Sequence, residues 1–142
     1  VSGIGLDLFA GSGALGIEAL SRGMEKVIFV DQNFKAVKVI KSNLNQLDLM
    51  SQAEVYKNNA DRALKALAKR EIQFDIILLD PPYKKGLIDE AIERISEFNL
   101  LKENGIIVCE FSNHENIQVE PFQMIKRYHY CLTDTLLLKK GE

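Results

Sequence analysis

Short apolar runs alternate with longer amphipathic stretches through most of this chain. Because two parallel strands need a long crossover between them, usually a helix, this alternation predicts an α/β fold: a mostly parallel sheet with helices on both faces. Asn104-Gly105 predicts a turn before the fifth strand. The predicted strands are 4–9, 27–30, 53–56, 74–79 and 106–111, and the predicted helices are 14–21, a segment beginning near residue 33, 61–70 and 87–98.

The helix that begins near residue 33 is predicted to bury one face. Its apolar residues recur every three or four positions, which is the spacing of a stripe that packs on a core. The lysines of the same segment, Lys35, Lys38 and Lys41, fall on another face and are expected to be solvated. The residues of the apolar stripe are Phe34, Val37, Ile40, Leu44 and Leu47.

The alternation stops after residue 111. The strand-like runs Met124–Cys131 and Thr133–Leu138 follow one another almost directly, so no crossover helix fits between them. They must pair as an antiparallel hairpin, which brings the predicted sheet to seven strands. A chain of 142 residues suits one domain, and we interpret 1–142 as a single domain. Because a strand begins almost at Val1, we expect that an N-terminal segment is missing.

The overall composition excludes few functions. Hydrophobic residues make up 46% of the chain and charged residues 27%, which is ordinary for a globular protein. No apolar run reaches the length of a membrane span and no signal peptide is visible, so we expect a cytoplasmic protein without a membrane partner. The formal net charge of -2 argues weakly against a nucleic-acid partner, although local lysines can still form a basic face.

The first predicted strand leads into a glycine-rich loop. Residues 11–16 fit the pattern G-x-G-x-x-G between a strand and a helix, and Asp31 follows Gly11 by about 20 residues. Glycines let a nucleoside approach the backbone, and a carboxylate accepts hydrogen bonds from the two hydroxyls of a ribose. The loop therefore indicates an adenosine-containing ligand. A tight strand-to-helix turn at Gly11 and Gly13, without a ligand, is the alternative.

Asp7 favours S-adenosylmethionine over NAD as that ligand. It lies at the end of the first strand, where a carboxylate attracts the amino group of a methionine moiety and repels a pyrophosphate. The chain also shows no group of residues typical of hydride transfer. The alternative is a structural role in which Asp7 caps the helix that follows.

Asp61 is a further candidate for binding the adenosine. It follows the third strand in the tripeptide Asn59-Ala60-Asp61. Ligands of doubly wound sheets gather at the carboxyl ends of the strands, so this position borders the same crevice. Asp61 is interpreted either as an acceptor for the adenine amino group or as the N-cap of the helix it precedes.

The fourth strand ends in the motif Asp80-Pro81-Pro82-Tyr83, which indicates the chemistry. An exocyclic amino group on a base is a poor nucleophile because its lone pair is delocalised into the ring. Hydrogen bonds from it to Asp80 and to the carbonyl of Pro81 would free that lone pair, and the two prolines hold these acceptors rigidly. Tyr83 would stack on the base. The motif predicts methyl transfer to a base nitrogen; an incidental Pro-Pro turn is the alternative.

Three further polar residues lie near the motif, either in the sequence or in the predicted sheet. Lys84 and Lys85 follow it directly and are either solvated or in contact with phosphates beside the target nucleotide. Glu110, at the end of the fifth strand, is close enough in the predicted sheet to line the crevice, but the sequence assigns it no role.

These motifs resemble those of the class I S-adenosylmethionine-dependent methyltransferases, and among them the bacterial RsmD family. The resemblance rests on the stretch Asp7–Gly23, which is typical of that family, followed in order by Val30-Asp31, Asn59-Ala60-Asp61 and Asp80-Pro81-Pro82-Tyr83. It covers nearly the whole chain. It implies a Rossmann-like domain that binds S-adenosylmethionine. The residues expected to bind the cofactor are Asp7, Phe9, Gly11, Gly13, Asp31, Gln32 and Asp61, and those expected to be catalytic are Asp80, Pro81, Pro82 and Tyr83.

The same resemblance implies the reaction and the partner. RsmD enzymes methylate a guanine N2 in small-subunit ribosomal RNA, so we expect this RNA, or the small ribosomal subunit, as the partner and a monomer as the active form. Family members usually carry a basic N-terminal segment, which this chain lacks. The alternatives are an adenine-N6 methyltransferase acting on DNA or RNA, an NAD-dependent oxidoreductase, and a protein that binds the cofactor without catalysis.

Overall fold

A computed structural model of the protein describes residues 3–82, 86–112 and 115–141. Its strands are β1 (Ile4–Asp7), β2 (Lys26–Asp31), β3 (Ala53–Lys57), β4 (Phe74–Leu79), β5 (Leu101–Ser112), β6 (Gln123–Tyr130) and β7 (Thr133–Lys139). Its helices are α1 (Ala14–Ser21), α2 (Phe34–Gln46), α3 (Ala60–Lys69) and α4 (Leu87–Glu97), with a short 3-10 turn at Met50–Gln52. Among these described helices, none has the length and apolar character that crossing a membrane requires.

The strands of the described ranges form one seven-stranded sheet in the order β3-β2-β1-β4-β5-β7-β6. Parallel pairs join β3 through β5 in this order, and β7 pairs antiparallel with both β5 and β6. The predicted fold, a mostly parallel sheet with a C-terminal antiparallel hairpin, is confirmed. The strand order reverses at β1, which lies between β2 and β4. The carboxyl ends of β1 and β4 therefore form the switch point where sheets of this kind bind ligands.

Helices cover the parallel part of the sheet on both faces. One buried cluster joins β2 to α1 and α2 and includes Phe29, Leu20 and Ile40. A larger cluster packs the opposite face against α3 and α4 and includes Leu64 and Ile92. Because both faces are covered, the strands are apolar along nearly their whole length, as is usual for parallel sheets. The loops at the strand ends remain available for a site.

Helix α2 illustrates what its periodicity predicted correctly and what it did not. Asn33 is the N-cap, and its side chain accepts hydrogen bonds from the backbone N–H groups of residues 35 and 36. Ile40 and Leu44 are fully buried and Val37 nearly so, as predicted. The prediction was wrong for the two ends of the stripe, because Phe34 is 60% exposed and Leu47 is 55% exposed. Phe34 is the first residue of α2 and Leu47 is its C-cap, so both lie at the ends of the helix.

Two predicted boundaries differ from the structure by more than one residue. Strand β1 ends at Asp7 rather than at Phe9, because the chain turns into the glycine loop and the N–H of Gly13 bonds to the carbonyl of Ala10 at 2.7 Å. Asn104-Gly105 lies within β5 rather than before it. The pairing of β5 with β4 is irregular there, so the turn signal marks an interruption of the register and not the start of the strand.

Gly16 in α1 is required by close packing against β2. A Cβ atom at this position would lie 2.4 Å from Cε2 of Phe29, which is fully buried, and 3.1 Å from Oδ2 of Asp7. Real Cβ contacts are not that short, so a larger residue must displace either the ring or the helix. The third glycine of the G-x-G-x-x-G pattern thus lets helix α1 approach the sheet.

The substitution Gly16→Ala should therefore destabilise the protein. Overpacking of a filled core typically costs about 1–3 kcal/mol, and we expect a loss in this range in the free energy of unfolding measured by urea denaturation. Glu18→Ala, on the exposed side of the same helix, is the control and should change the free energy of unfolding by less than about 0.5 kcal/mol. Equal unfolding midpoints for the two variants would show that a Cβ atom at position 16 does not destabilise the packing of α1 on β2.

Candidate functional site

Acidic side chains collect at the carboxyl ends of adjacent strands. Asp7 ends β1, Asp31 ends β2, Asp80 directly follows β4 and Glu110 lies near the end of β5. In the sheet order these strands are neighbours, so the side chains share one edge. The negative charges of Asp80 and Asp31 both act on Asp7. The structure thus brings together the loop predicted to bind a nucleoside and the motif predicted to bind a base.

Asp31 ties the glycine loop to the start of α2. Its Oδ2 accepts a hydrogen bond from the N–H of Gly11 and its Oδ1 accepts one from the N–H of Asn33, both at 2.8 Å. Each carboxylate oxygen can accept a second hydrogen bond, so both remain able to meet a ligand hydroxyl. Gly11 has a φ of 58°, and a Cβ there would meet nothing within 4 Å. Open space therefore lies over the loop beside an oriented carboxylate.

Asp7 is buried beneath this loop. Its side chain is only 1% exposed, and Oδ2 accepts a hydrogen bond from the N–H of Gly16 at 3.1 Å. Burial raises the pKa of Asp7 to about 7, the nearby charges of Asp80 and Asp31 add to the increase, and the bond from Gly16 opposes it. The structure thus gives Asp7 the helix-directed role that the sequence offered as an alternative. A contact between Asp7 and a ligand amino group stays a prediction.

Asp61 does not cap α3, so that interpretation was wrong. The N-cap is Asn59, whose side chain accepts a hydrogen bond from the N–H of Arg62 at 2.8 Å. Asp61 lies in the first turn of the helix and is exposed. Its Oδ1 accepts a hydrogen bond from Arg94 at 2.8 Å and its Oδ2 pairs with Lys65 at 3.2 Å. The interaction of Asp61 with an adenine amino group stays a prediction and would compete with these ion pairs.

Asp80 and Glu110 form a carboxyl pair at the opposite side of the site. Burial raises the pKa of both groups, and the charge of Asp80 adds to the increase at Glu110. They line, with Pro81, a cavity of about 280 Å³ whose further walls come from the end of β5 and the turn between β6 and β7. Sequence reasoning gave Glu110 no role. The available signal was its position at a strand end, since the partner carboxyl is visible only in the folded chain.

The remaining predicted residues are distributed around this edge. Phe9 is partly buried against the core that faces α3 and α4, and Gln32 is exposed next to Asp31. Gly13 is buried and has a φ of 83° at the N-terminus of α1, a conformation that favours glycine. Pro82 is exposed. Tyr83, Lys84 and Lys85 lie outside the described residues.

The described acidic groups suit a cationic ligand better than an anionic one or a metal. Within the described ranges, no group of three or more His, Cys, Asp and Glu side chains could hold a metal ion. Asp7, Asp31 and Asp80 concentrate negative charge at the switch point, where a pyrophosphate would be repelled. S-adenosylmethionine carries positive charge on its sulfur and its amino group and has ribose hydroxyls for Asp31. The residues present therefore fit this cofactor.

Comparison with known proteins agrees with these features. A family model described as "Conserved hypothetical protein 95" matches residues 2–138. The chain is 49% identical over 140 residues to YlbH of Bacillus subtilis, an alignment that covers 97% of this chain and 76% of YlbH. It is 42% identical over 106 residues to the ribosomal RNA small subunit methyltransferase D of Haemophilus influenzae, covering 74% of this chain and 54% of that protein. The chain thus spans about half the length of this second relative.

A solved structure has the same architecture. The chain resembles a conserved hypothetical protein of Streptococcus pyogenes with a TM-score of 0.90 and 34% sequence identity. The match covers 99% of this chain and 88% of that one. The helices and strands described above therefore recur, almost in full, in a related protein.

The buried carboxyl of Asp7 should make stability depend on pH. An unfolded Asp ionises near pH 4, and the pKa of Asp7 in the folded protein is about 7, so the folded state binds an extra proton between these values. The free energy of unfolding should accordingly fall as the pH rises from 4 to 7. Relative to Asp7→Asn, the wild-type protein should lose on the order of 3 kcal/mol over this window.

Urea denaturation at pH 4.5 and pH 7.5 measures this difference. Asp48→Asn, which removes an exposed carboxyl after α2, is the matched control and should follow the wild type. The idea fails if Asp7→Asn loses as much stability between the two pH values as the wild-type protein does.

Proposed function

The chain belongs to the conserved hypothetical protein 95 family, and from this premise we propose that it is an S-adenosylmethionine-dependent methyltransferase. Its proposed substrate is the exocyclic N2 amino group of a guanine in small-subunit (16S) ribosomal RNA. The expected membership of the RsmD family is confirmed by the relative named ribosomal RNA small subunit methyltransferase D. The observation that carries the proposal is the position of Asp80-Pro81 across the switch point from Asp31 and the glycine loop.

The glycine loop and its carboxylates are proposed to hold the cofactor. S-adenosylmethionine, when bound, supplies a methyl group attached to a positively charged sulfur. Asp31, already oriented by two backbone N–H groups, accepts hydrogen bonds from the ribose hydroxyls. Gly11 permits close approach of the adenosine to the backbone, and Gly13 holds the left-handed turn from which α1 starts. Asp7, Phe9, Gln32 and Asp61 complete the proposed binding residues, and the amino group of the methionine moiety is the proposed partner of Asp7.

Asp80 and Pro81 are proposed to activate the base. The two protons of the guanine amino group would bond to the Asp80 carboxylate and the Pro81 carbonyl, which localises the nitrogen lone pair for attack. The new nitrogen–carbon bond forms as the sulfur–carbon bond breaks, and the amino nitrogen releases one proton. Asp80 is placed to accept that proton. Its pKa is raised by burial, which makes it a better proton acceptor than an ordinary carboxylate.

The proposed substrate requires a flipped or single-stranded base. A guanine amino group inside a duplex cannot reach an acceptor at the end of a strand, so the nucleotide must leave its stack. The net charge of -2 gives this chain little general attraction for RNA. The affinity must then come from specific contacts or from parts of the protein present in the longer relatives. Ribosomal RNA as the partner belongs to the same proposal.

Substitutions should separate catalysis from cofactor binding. Asp80→Ala removes an acceptor for the substrate and should lower the methylation rate by roughly 100-fold to 1,000-fold with little change in cofactor affinity.

Asp31→Ala should weaken cofactor binding about tenfold or more, because it loses charge-assisted hydrogen bonds. Calorimetry with S-adenosylmethionine and transfer of a labelled methyl group to small-subunit RNA measure the two effects. Glu93→Gln, exposed on α4, is the control, and an Asp80→Ala variant with full activity would refute the role of the motif.

The substrate is identified most directly in cells that lack the gene. Mass spectrometry of their small-subunit RNA should show one N2-methylguanine replaced by unmodified guanine, and expression of the protein should restore the methyl group. The Asp80→Ala protein should not restore it. Loss of a methyl group from adenine instead, with guanine unchanged, would favour the adenine-N6 alternative.

A further inference from the structure

The Asp80–Glu110 pair lies where the proposed function places the target base. We infer that Glu110 selects guanine by accepting a hydrogen bond from its N1–H while Asp80 accepts one from its N2 amino group. Glu110 is thus a specificity-determining residue of the proposed reaction, on which this inference rests. Two acidic side chains alone would not define a site; here Pro81, the next residue of the proposed base-activating motif, lines the same cavity.

The β4–β5 pairing places the two carboxyl groups side by side. Leu79 lies opposite Cys109 in the parallel register, so the next residues along the two strands, Asp80 and Glu110, are neighbours. Cys109 is buried in the core that faces α3 and α4, so Glu110, the next residue of β5, lies on the other face of the sheet. Asp80 directly follows β4 and lines the same cavity as Glu110, so one ligand in that cavity can reach both carboxyl groups.

The edge of guanine presents donors that match these acceptors. Its N1–H and its N2 amino group are adjacent on the Watson–Crick edge and provide three N–H bonds. Asp80, Pro81 and Glu110 line one cavity, and the two carboxyl groups and the Pro81 carbonyl are the three acceptors that we infer meet these donors. Two hydrogen bonds to the amino group still leave the N1–H without a partner, and a desolvated N–H without a partner is costly. Glu110 is the described acceptor next to Asp80 that can satisfy it.

Adenine does not match the same acceptors. Its amino group can donate hydrogen bonds to Asp80 and to the Pro81 carbonyl. The adjacent N1, however, is itself an acceptor and would face the carboxylate of Glu110. Two acceptors in contact repel each other and both remain unpaired. Guanine thus offers a donor to each of the two carboxylates, whereas adenine offers a donor to only one.

The base analogue 2-aminopurine tests this contact. It has the same exocyclic amino group as guanine, but its N1 is an acceptor and it lacks the O6 carbonyl, so the variants at Glu110 are needed to assign the difference. Small-subunit RNA with guanine or 2-aminopurine at the methylated position can be prepared by splinted ligation and assembled into subunits. The wild-type protein should methylate guanine with a kcat/KM that exceeds that for 2-aminopurine by roughly tenfold to 100-fold, the range expected for one unpaired buried group.

Variants at Glu110 then test the residue itself. The carboxamide of Glu110→Gln can either accept from N1–H or donate to an unprotonated N1, so the preference for guanine should fall by about tenfold or more. Glu115→Gln makes the same chemical change at another residue that lines the cavity and should keep the wild-type ratio. A ratio of rates on two substrates is not lowered by a general loss of folded protein, so a merely structural role would leave it unchanged.

The outcomes distinguish this inference from the proposed function. Two results overturn the inference and leave the proposed function standing. In the first, the protein methylates guanine but does not prefer it to 2-aminopurine. In the second, the Glu110→Gln variant keeps the preference for guanine. Methylation of neither RNA, or of adenine at the target position in place of guanine, overturns the proposed function and the inference with it. A strong preference in the wild type that is lost in Glu110→Gln and kept in Glu115→Gln supports the inference.

Discussion

The parallel register of β1 with its two neighbours is the constraint on which the site depends. Asp7 lies opposite Phe29 of β2 and Leu78 of β4. Asp31 and Asp80 each follow those partners by two residues, so the acidic ends of the three strands emerge at one edge. Because β1 is also the point where the strand order reverses, the loops after these strands diverge and leave a crevice between them. The backbone pairing of the sheet thus assembles the binding loop and the Asp80-Pro81 motif.

This arrangement brings the carboxyl groups of Asp7, Asp31 and Asp80 together at one edge of the sheet, where their mutual repulsion does not stabilise the fold. Asp7 is buried with a raised pKa, and its neighbours Asp31 and Asp80 raise it further. Among the described residues, the Gly16 N–H is the group that opposes this increase in the pKa. A ligand that brings positive charge would favour the ionised form of these groups, and any ligand that binds only the folded state stabilises it by mass action. The acidic edge is therefore better explained by ligand binding than by stability.

Local patterns in the sequence were sufficient for most of the fold. Strand β4 and helix α1 have the predicted bounds because their apolar runs are terminated by strong signals, the prolines after Asp80 and Gly23 after Ser21. The hairpin was predictable since too few residues separate its strands for any other connection. Phe34 was misplaced because periodicity gives the direction of a side chain on the helix and not the extent of the sheet beneath it. The ion pair of Asp61 could not be predicted either, since its partner Arg94 lies on another helix.

The Asp80–Glu110 pair shows why part of the site could not be derived from the sequence. If the pairing of Phe74 with Leu101 continued without interruption, Asp80 would lie beside Ile107. Instead the register shifts between Phe74 and Ile76, so that Ile76 pairs with Ile106 and Glu110 reaches Asp80. Gly105 lies in this irregular segment, where a Cβ would come within 2.9 Å of the Phe74 carbonyl oxygen. In the sequence this irregularity appeared only as a turn signal at Asn104-Gly105. The shift in register decides that Glu110, and not the apolar Ile107, lies beside Asp80, the proposed base-activating residue.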